Sequence, residues 1–243
     1  MKICIDAGHY NKYNPGVANG YFEGNAMWEL SLLLKAELEK YGVEIIMTRD
    51  NVTADKSLYD RGKMGANSDL FLSLHSNAAT PDARGTEIYY SVFRDSKAVA
   101  DKIGSAIVST MKPDLPNTLY RGSKTRKYSA FQNKDYYGVL RAAVGETGKE
   151  AVKHALLIEH GFHTNPDECR WLTYTDNLKK LAVVEADVIA KHFGLKIPTD
   201  DSIAERLKLA EQTIASLEGE IADCIAVNTE LKTVLEKIRE LAG

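Results

Sequence analysis

Apolar and polar positions alternate along this chain with two different periods, and the changes of period mark its elements. The clearest strand is Leu70 to Leu74, an apolar run broken only by Ser73. It is too short for a helix, so it reads as a strand buried on both faces of a parallel sheet. Lys2 to Asp6 and Ala155 to Glu159 repeat the design, and Val43 to Thr48 and the β-rich Thr86 to Val92 read as further strands. A short strand is also expected near Tyr137 to Arg141.

Helical spacing appears between the strands. Leu30, Leu33, Leu34 and Leu38 lie on one face of a helix expected over Ala26 to Tyr41, with Asn25 as cap and Gly42 as its stop. Val99, Ile103, Ala106 and Ile107 mark a second over Ser96 to Met111, which Pro113 and Pro116 end. A short helix is expected around Arg61 to Ala66. Asn165-Pro166-Asp167-Glu168 is a helix start, and a last helix runs over Asp176 to Phe193. Gly8 to Phe22 and the polar, basic Asn117 to Lys134 read as loops. Strands alternating with helices imply an α/β domain with a mostly parallel, covered sheet.

Beyond Ile197-Pro198-Thr199-Asp200 the period changes again. Ile203, Ala210, Leu217, Cys224, Leu231 and Ile238 lie seven apart, and Leu207, Ile214, Ile221, Asn228, Leu235 and Ala242 follow at an offset of four. These are the d and a positions of a coiled coil, with Asn228 as a polar register-fixing residue. The expected organisation is a domain over 1–196, a linker over 197–201 and a coiled-coil helix over 202–243 that makes a homo-oligomer. Ile225, Val227 and Val234 widen the apolar stripe and point to more than two strands. A hairpin folded back near Gly219 is the alternative.

Composition adds limits. The 243 residues are 44% hydrophobic, enough for one α/β domain and an appendage. The net charge of −3 gives no reason to expect a nucleic-acid partner, although the tail from Asp200 carries −5 and residues 1–199 therefore +2. Three widely spaced cysteines form neither a disulfide framework nor a metal pair. No apolar run approaches the ~20 residues that span a membrane. No charged and then apolar leader precedes the first strand, so no secretory signal is expected.

The candidate chemistry sits where strands end. His9, His75 and Glu159 follow buried strands, and in open α/β sheets ligands bind outside those carboxyl ends. His9 and His75 with Glu23, just before the first helix, offer the three ligands of a catalytic zinc site. A strand-end histidine also serves as a hydrogen-bonded core residue, and spacing leaves both readings open.

Taken in order, Asp6-Ala7-Gly8-His9, Glu23, Thr48-Arg49-Asp50, Ser73-Leu74-His75-Ser76-Asn77-Ala78, Gly85-Thr86-Glu87, Arg121-Gly122 and Glu159-His160-Gly161-Phe162-His163-Thr164-Asn165 resemble the zinc-dependent N-acetylmuramoyl-L-alanine amidases of the amidase_3 type. These act in bacterial cell-wall hydrolysis and as phage endolysins. The resemblance covers residues 1–193 and leaves out the heptad tail. It implies a mixed six-stranded sheet with helices on both faces, Zn2+ held by His9, Glu23 and His75, and Glu159 as the catalytic carboxylate. It also implies bacterial peptidoglycan as substrate. Met27 stands where the family often has Asn, which makes Glu29 a competing ligand. Asn77 and Arg121 are expected to touch substrate, with Lys124 beside them, and Glu87 to hydrogen-bond a ligand histidine. His160 and His163 are expected in structural or rim roles. The competing functions are a zinc peptidase cutting the stem peptide and a wall-binding scaffold that clusters inactive heads. Without a leader, a phage lytic enzyme released to the wall fits better than an exported hydrolase.

Overall fold

The computed structural model describes residues 1–197 apart from 130, 131, 146, 150 and 151, and, further on, positions 208, 211, 212, 214, 217–219, 221, 224–229, 231, 232, 234, 235 and 237–239. Two compact units result, Met1–Ile197 and Pro198–Gly243. In the first, β1 (Lys2–Ala7), α1 (Glu23–Glu39), β2 (Glu44–Met47), α2 (Leu58–Met64), β3 (Leu70–Asn77), β4 (Thr86–Tyr90) and α3 (Lys97–Met111) follow one another. Then come β5 (Tyr120–Lys124), β6 (Lys127–Ser129), β7 (Gln132–Asp135), α4 (Gly138–Val144), β8 (His154–Phe162), α5 (Pro166–Leu172) and α6 (Thr175–Phe193).

Six strands form one sheet in the order β2-β1-β3-β8-β4-β5. Every neighbouring pair is parallel except β4 with β8. The sheet is therefore mixed and mostly parallel. Side chains alternate between its faces. Ile3, Ile5, Leu70, Leu72, Leu74, Leu156 and Ile158 face one way and pack with apolar residues of α1, α3 and α6. Cys4, Phe71, Ala155 and Leu157 face the other way, against Val139, Leu140, Ala143 and Val144 of α4. Both faces of β3 are covered, which is why its sequence is almost continuously apolar. Gly62 lets α2 lie against α4, since a Cβ there would stand 2.4 Å from the Val139 carbonyl oxygen. Asn165 caps α5 as its sequence implies, its side chain accepting from the Asp167 and Glu168 amides.

Three expectations are corrected. Helix α1 begins at Glu23 with Phe22 as N-cap, not after Asn25, so Glu23 is fixed by helical geometry rather than carried on a loop. Tyr137 to Arg141 is the start of α4, not a strand, because Val139, Leu140, Ala143 and Val144 bury one helical face. Asn117 to Lys134 contains the edge strand β5, the strand β6 and most of β7.

In the second unit every described position from 208 to 239 is helical, including Gly219, the turning point of the hairpin alternative. Ile203, Leu207, Ala210, Ala242 and linker positions 198–201 lie outside the described residues.

Candidate metal centre and its carboxylate

The site is built where β1, β3 and β8 end. Chain leaving β1 passes so close to β3 that only glycine fits at position 8. A Cβ there would stand 2.5 Å from both the Leu74 carbonyl oxygen and His75 Cε1. His9 follows with φ of +56°, a left-handed conformation that throws its ring back over the sheet edge. Tyr13 stacks on that ring at 4.7 Å. The start of α1 is anchored by Arg49, almost fully buried, which donates to the carbonyls of Gly24 (2.8 Å) and Val52 (2.9 Å). Beneath β1, the buried Asp6 carboxylate accepts from Thr48 (2.7 Å), Ser73 (2.7 Å) and Arg61 (3.2 Å).

These supports bring three side chains together. One Glu23 oxygen lies 2.8 Å from His75 Nδ1 and accepts from the Ser76 amide at 3.0 Å. The other lies 3.5 Å from His9 Nε2 and accepts from the Asn14 amide group at 2.7 Å. The two imidazole rings meet edge to face at 5.0 Å. One ligand atom from each of His9, Glu23 and His75 lies within 4.8 Å of the others. Glu29 is not part of this group, and Met27 is buried in the core.

The electrostatics of Glu23 and His9 match that donor set, whereas His75 must give up its proton to bind a metal. Burial raises the Glu23 carboxyl, but the hydrogen bond and charge of His75, the charge of His9 and the Asn14 amide bring it down to about 2. Burial lowers His9 to about 4, against the pull of Glu23, so its ring is uncharged at neutral pH. Burial also lowers His75, yet the hydrogen bond and charge of Glu23 more than offset this and raise it. An ionised carboxylate between two imidazoles is a good ligand set for a borderline-soft divalent ion such as zinc.

Glu159 stands beside this group. It is in register with His75 on the parallel neighbour β3 and with Glu87 on the antiparallel neighbour β4. Its Oε2 is buried with no hydrogen-bond partner among the described residues. Burial first, then the charges of Glu23 and Glu87, push its carboxyl up to about 7, with His75 opposing. A carboxyl poised there exchanges protons readily near neutral pH.

The remaining candidates sort differently. Glu87 does not bond a ligand histidine, a correction to the sequence expectation. It accepts from Lys124 (2.7 Å), Asn77 (2.8 Å), Tyr89 (2.9 Å) and Arg121 (3.1 Å). Burial raises its carboxyl, and these donors bring it below its ordinary value. Asn77 and Arg121 thus serve Glu87 at the rim of the site. His160 points through the sheet to the opposite face, bonded to the His75 carbonyl and to Glu185, each at 3.0 Å. His163 lies 2.9 Å from the Ser76 hydroxyl and 3.9 Å from Glu23. Sequence reasoning missed Asn14, which bonds Glu23 and lies 3.2 Å from His9 Nε2. Within a loop rich in Asn and Gly it reads only as a turn former, and nothing local marks it.

A family model described as N-acetylmuramoyl-L-alanine amidase, Amidase_3, matches residues 3–191. Among solved structures, Cwp6 from Clostridium difficile superposes with a TM-score of 0.63 at 26% identity, covering 78% of this chain and 29% of that one. The N-acetylmuramoyl-L-alanine amidase AmiC2 of Nostoc punctiforme gives 0.61 at 25% identity, covering 80% and 97%. The N-acetylmuramoyl-L-alanine amidase LytC of Bacillus subtilis is 29% identical over 132 residues, 52% of this chain and 25% of its own length. The stretches matched in curated relatives span between 25% and 55% of those proteins.

Proposed function

The chain belongs to the N-acetylmuramoyl-L-alanine amidase family Amidase_3, and on that premise we propose that it hydrolyses the amide between N-acetylmuramic acid and L-alanine in bacterial peptidoglycan. The observation that carries this reading is the convergence of His9, Glu23 and His75 beside a buried carboxyl with an unsatisfied oxygen, Glu159.

His9, Glu23 and His75 would hold zinc. Bound there, the ion supplies a Lewis acid for the amide carbonyl and acidifies water to a pKa of about 7. Glu159 takes the proton from water on its unpartnered Oε2 and returns it to the leaving alanine nitrogen. Asn14 and the Ser76 amide hold both Glu23 oxygens in place, which fixes the direction in which the ligand atoms face. Asn77 and Arg121 hold Glu87, whose negative charge keeps the Glu159 proton affinity high.

The tail is proposed to assemble copies of the chain through its heptads and so to multiply weak contacts with the wall. In support, Ile214, Leu217, Ile221, Leu231, Leu235 and Ile238, all at described helical positions, are each 51–57% exposed. Burying such side chains is worth about 1.5–3 kcal/mol each.

Product analysis tests the reaction. Digested peptidoglycan should gain free amino groups on L-alanine, and chelation should stop this until zinc is returned. New amino termini within the stem would mark a peptidase, and none at all would rule out amide hydrolysis of the wall.

A further inference from the structure

Basic charge in the first unit is concentrated in one stretch. Residues 120–141 hold Arg121, Lys124, Arg126, Lys127, Lys134 and Arg141 against a single acid, Asp135. That is +5, while residues 1–199 together carry only +2. Asp135 is buried, bonded to the Ser91 hydroxyl and the Val92 amide, and its charge acts on Arg141, so Arg126 and Lys127 carry the outward charge that remains. Arg121 and Lys124 are already committed to Glu87. Among the described residues, Arg126, Lys127 and Arg141 form no ion pair with a carboxylate.

Aromatic rings interleave with these cations. The Arg126 guanidinium lies 3.7 Å from the Tyr136 ring centre, and that of Arg141 lies 5.2 Å from Tyr128. Tyr128 and Tyr136 are 54% and 43% exposed. Stacking fixes long side chains that would otherwise be mobile, so less entropy is lost when they meet a ligand. Arg141 is held further by its bonds to the Asp135 and Tyr136 carbonyls. The surface runs inward to the site, since Tyr137 packs on Tyr89 at 4.7 Å and Tyr89 donates to Glu87.

We propose that this face, made by Arg126, Lys127, Tyr128, Tyr136 and Arg141, binds the carboxylates of the substrate's peptide arm. The inference rests on the proposed amidase reaction. In that substrate the lactyl carboxyl is consumed in the scissile amide, so the sugar beside it is uncharged and the peptide carries the carboxylates. Reach agrees. β5 is two strands from β8, about 10 Å at a strand spacing of ~4.8 Å. An extended peptide covers ~3.3–3.6 Å per residue, so its fourth residue, three steps on, arrives at β5, the strand that leads into Arg126 and Lys127, when the first sits at Glu159. Charge at that distance selects the substrate without touching the bond that breaks.

The test uses the zinc-loaded full chain and two soluble muramoyl-peptides, one with free carboxylates and one with them amidated. The wild type should favour the free acid through KM, roughly ten-fold, as expected for charge-assisted hydrogen bonds. Arg126→Gln with Lys127→Gln should remove that preference while changing kcat less than two-fold. Calorimetry with the peptide alone should show the same selectivity without turnover. Equal KM for both substrates, or an unchanged preference in the double variant, would overturn the surface and leave the reaction standing. Selective peptide binding by a chain that cleaves neither substrate would instead overturn the reaction.

Discussion

His75 and Glu159 face the same side of the sheet as directly paired residues of β3 and β8. One strand spacing therefore separates a metal-ligand candidate from a carboxyl held near neutral pKa. Backbone hydrogen bonding sets this separation, so it is as rigid as the core. The site needs β1 and α1 only to bring His9 and Glu23 to meet it.

That crowding makes Gly8 a sensitive position. Gly8→Ala would place a methyl group 2.5 Å from His75 Cε1 and from the backbone of β3. The His75 ring must then move. Zinc affinity is expected to fall about 10–100-fold, as when the supports of a ligand are disturbed, with the fold retained. Competition with a chromogenic chelator measures it, and unaltered affinity would contradict the geometry.

The Glu159 carboxyl gives a pH signature in the zinc-free protein. Its folded pKa is raised from 4.5 to about 7. Between those values the folded chain keeps a proton that the unfolded chain releases. Its contribution is thus fully present below pH 4.5 and is lost as pH rises through about 7. The loss amounts to roughly 3 kcal/mol at 1.36 kcal/mol per unit. Denaturant titrations should show wild type losing stability relative to Glu159→Gln across that window. Parallel profiles would place Glu159 in an ordinary solvated setting.

Asp6 tests the scaffold. It accepts from Thr48, Ser73 and Arg61 in a fully buried position. Asp6→Ala leaves the Arg61 charge and two hydroxyls unpaired, and should cost about 3–5 kcal/mol. Chemical denaturation reads this directly, and a loss below 1 kcal/mol would show that water replaces the carboxylate.

Truncation after Ile197 tests the tail. The shortened chain should stay folded, bind zinc and have the mass of a monomer, whereas the full chain should have the mass of an oligomer. Light scattering at several concentrations distinguishes them. A monomeric full chain would dismiss the coiled coil.

Much of this was readable in the chain because its strongest signals are also its structural causes. The apolar run of β3 and the polar residues at its end are burial on two faces followed by a site at the sheet edge. The misreadings share a cause as well. Asn25 looks like a cap, but Phe22 takes that place, so the helix start at Glu23 shows only in tertiary context. Tyr-Tyr-Gly-Val-Leu at 136–140 has strand-like composition, yet contact with α2 and β8 makes it helical. β5 is an edge strand of mostly polar residues, with no apolar alternation to betray it. The links of Asn14 to Glu23 and of Glu87 to Arg121 and Lys124 join distant segments, and no local pattern encodes them.

Zinc content per chain tests the central claim most directly. After loading and removal of free metal, wild type and Glu159→Gln should each retain one zinc. His9→Ala, Glu23→Ala and His75→Ala, folded by circular dichroism, should retain less than about one tenth. Full zinc retention in any of the three ligand variants, or a wild type that holds none, would contradict the metal centre on which the proposed reaction depends.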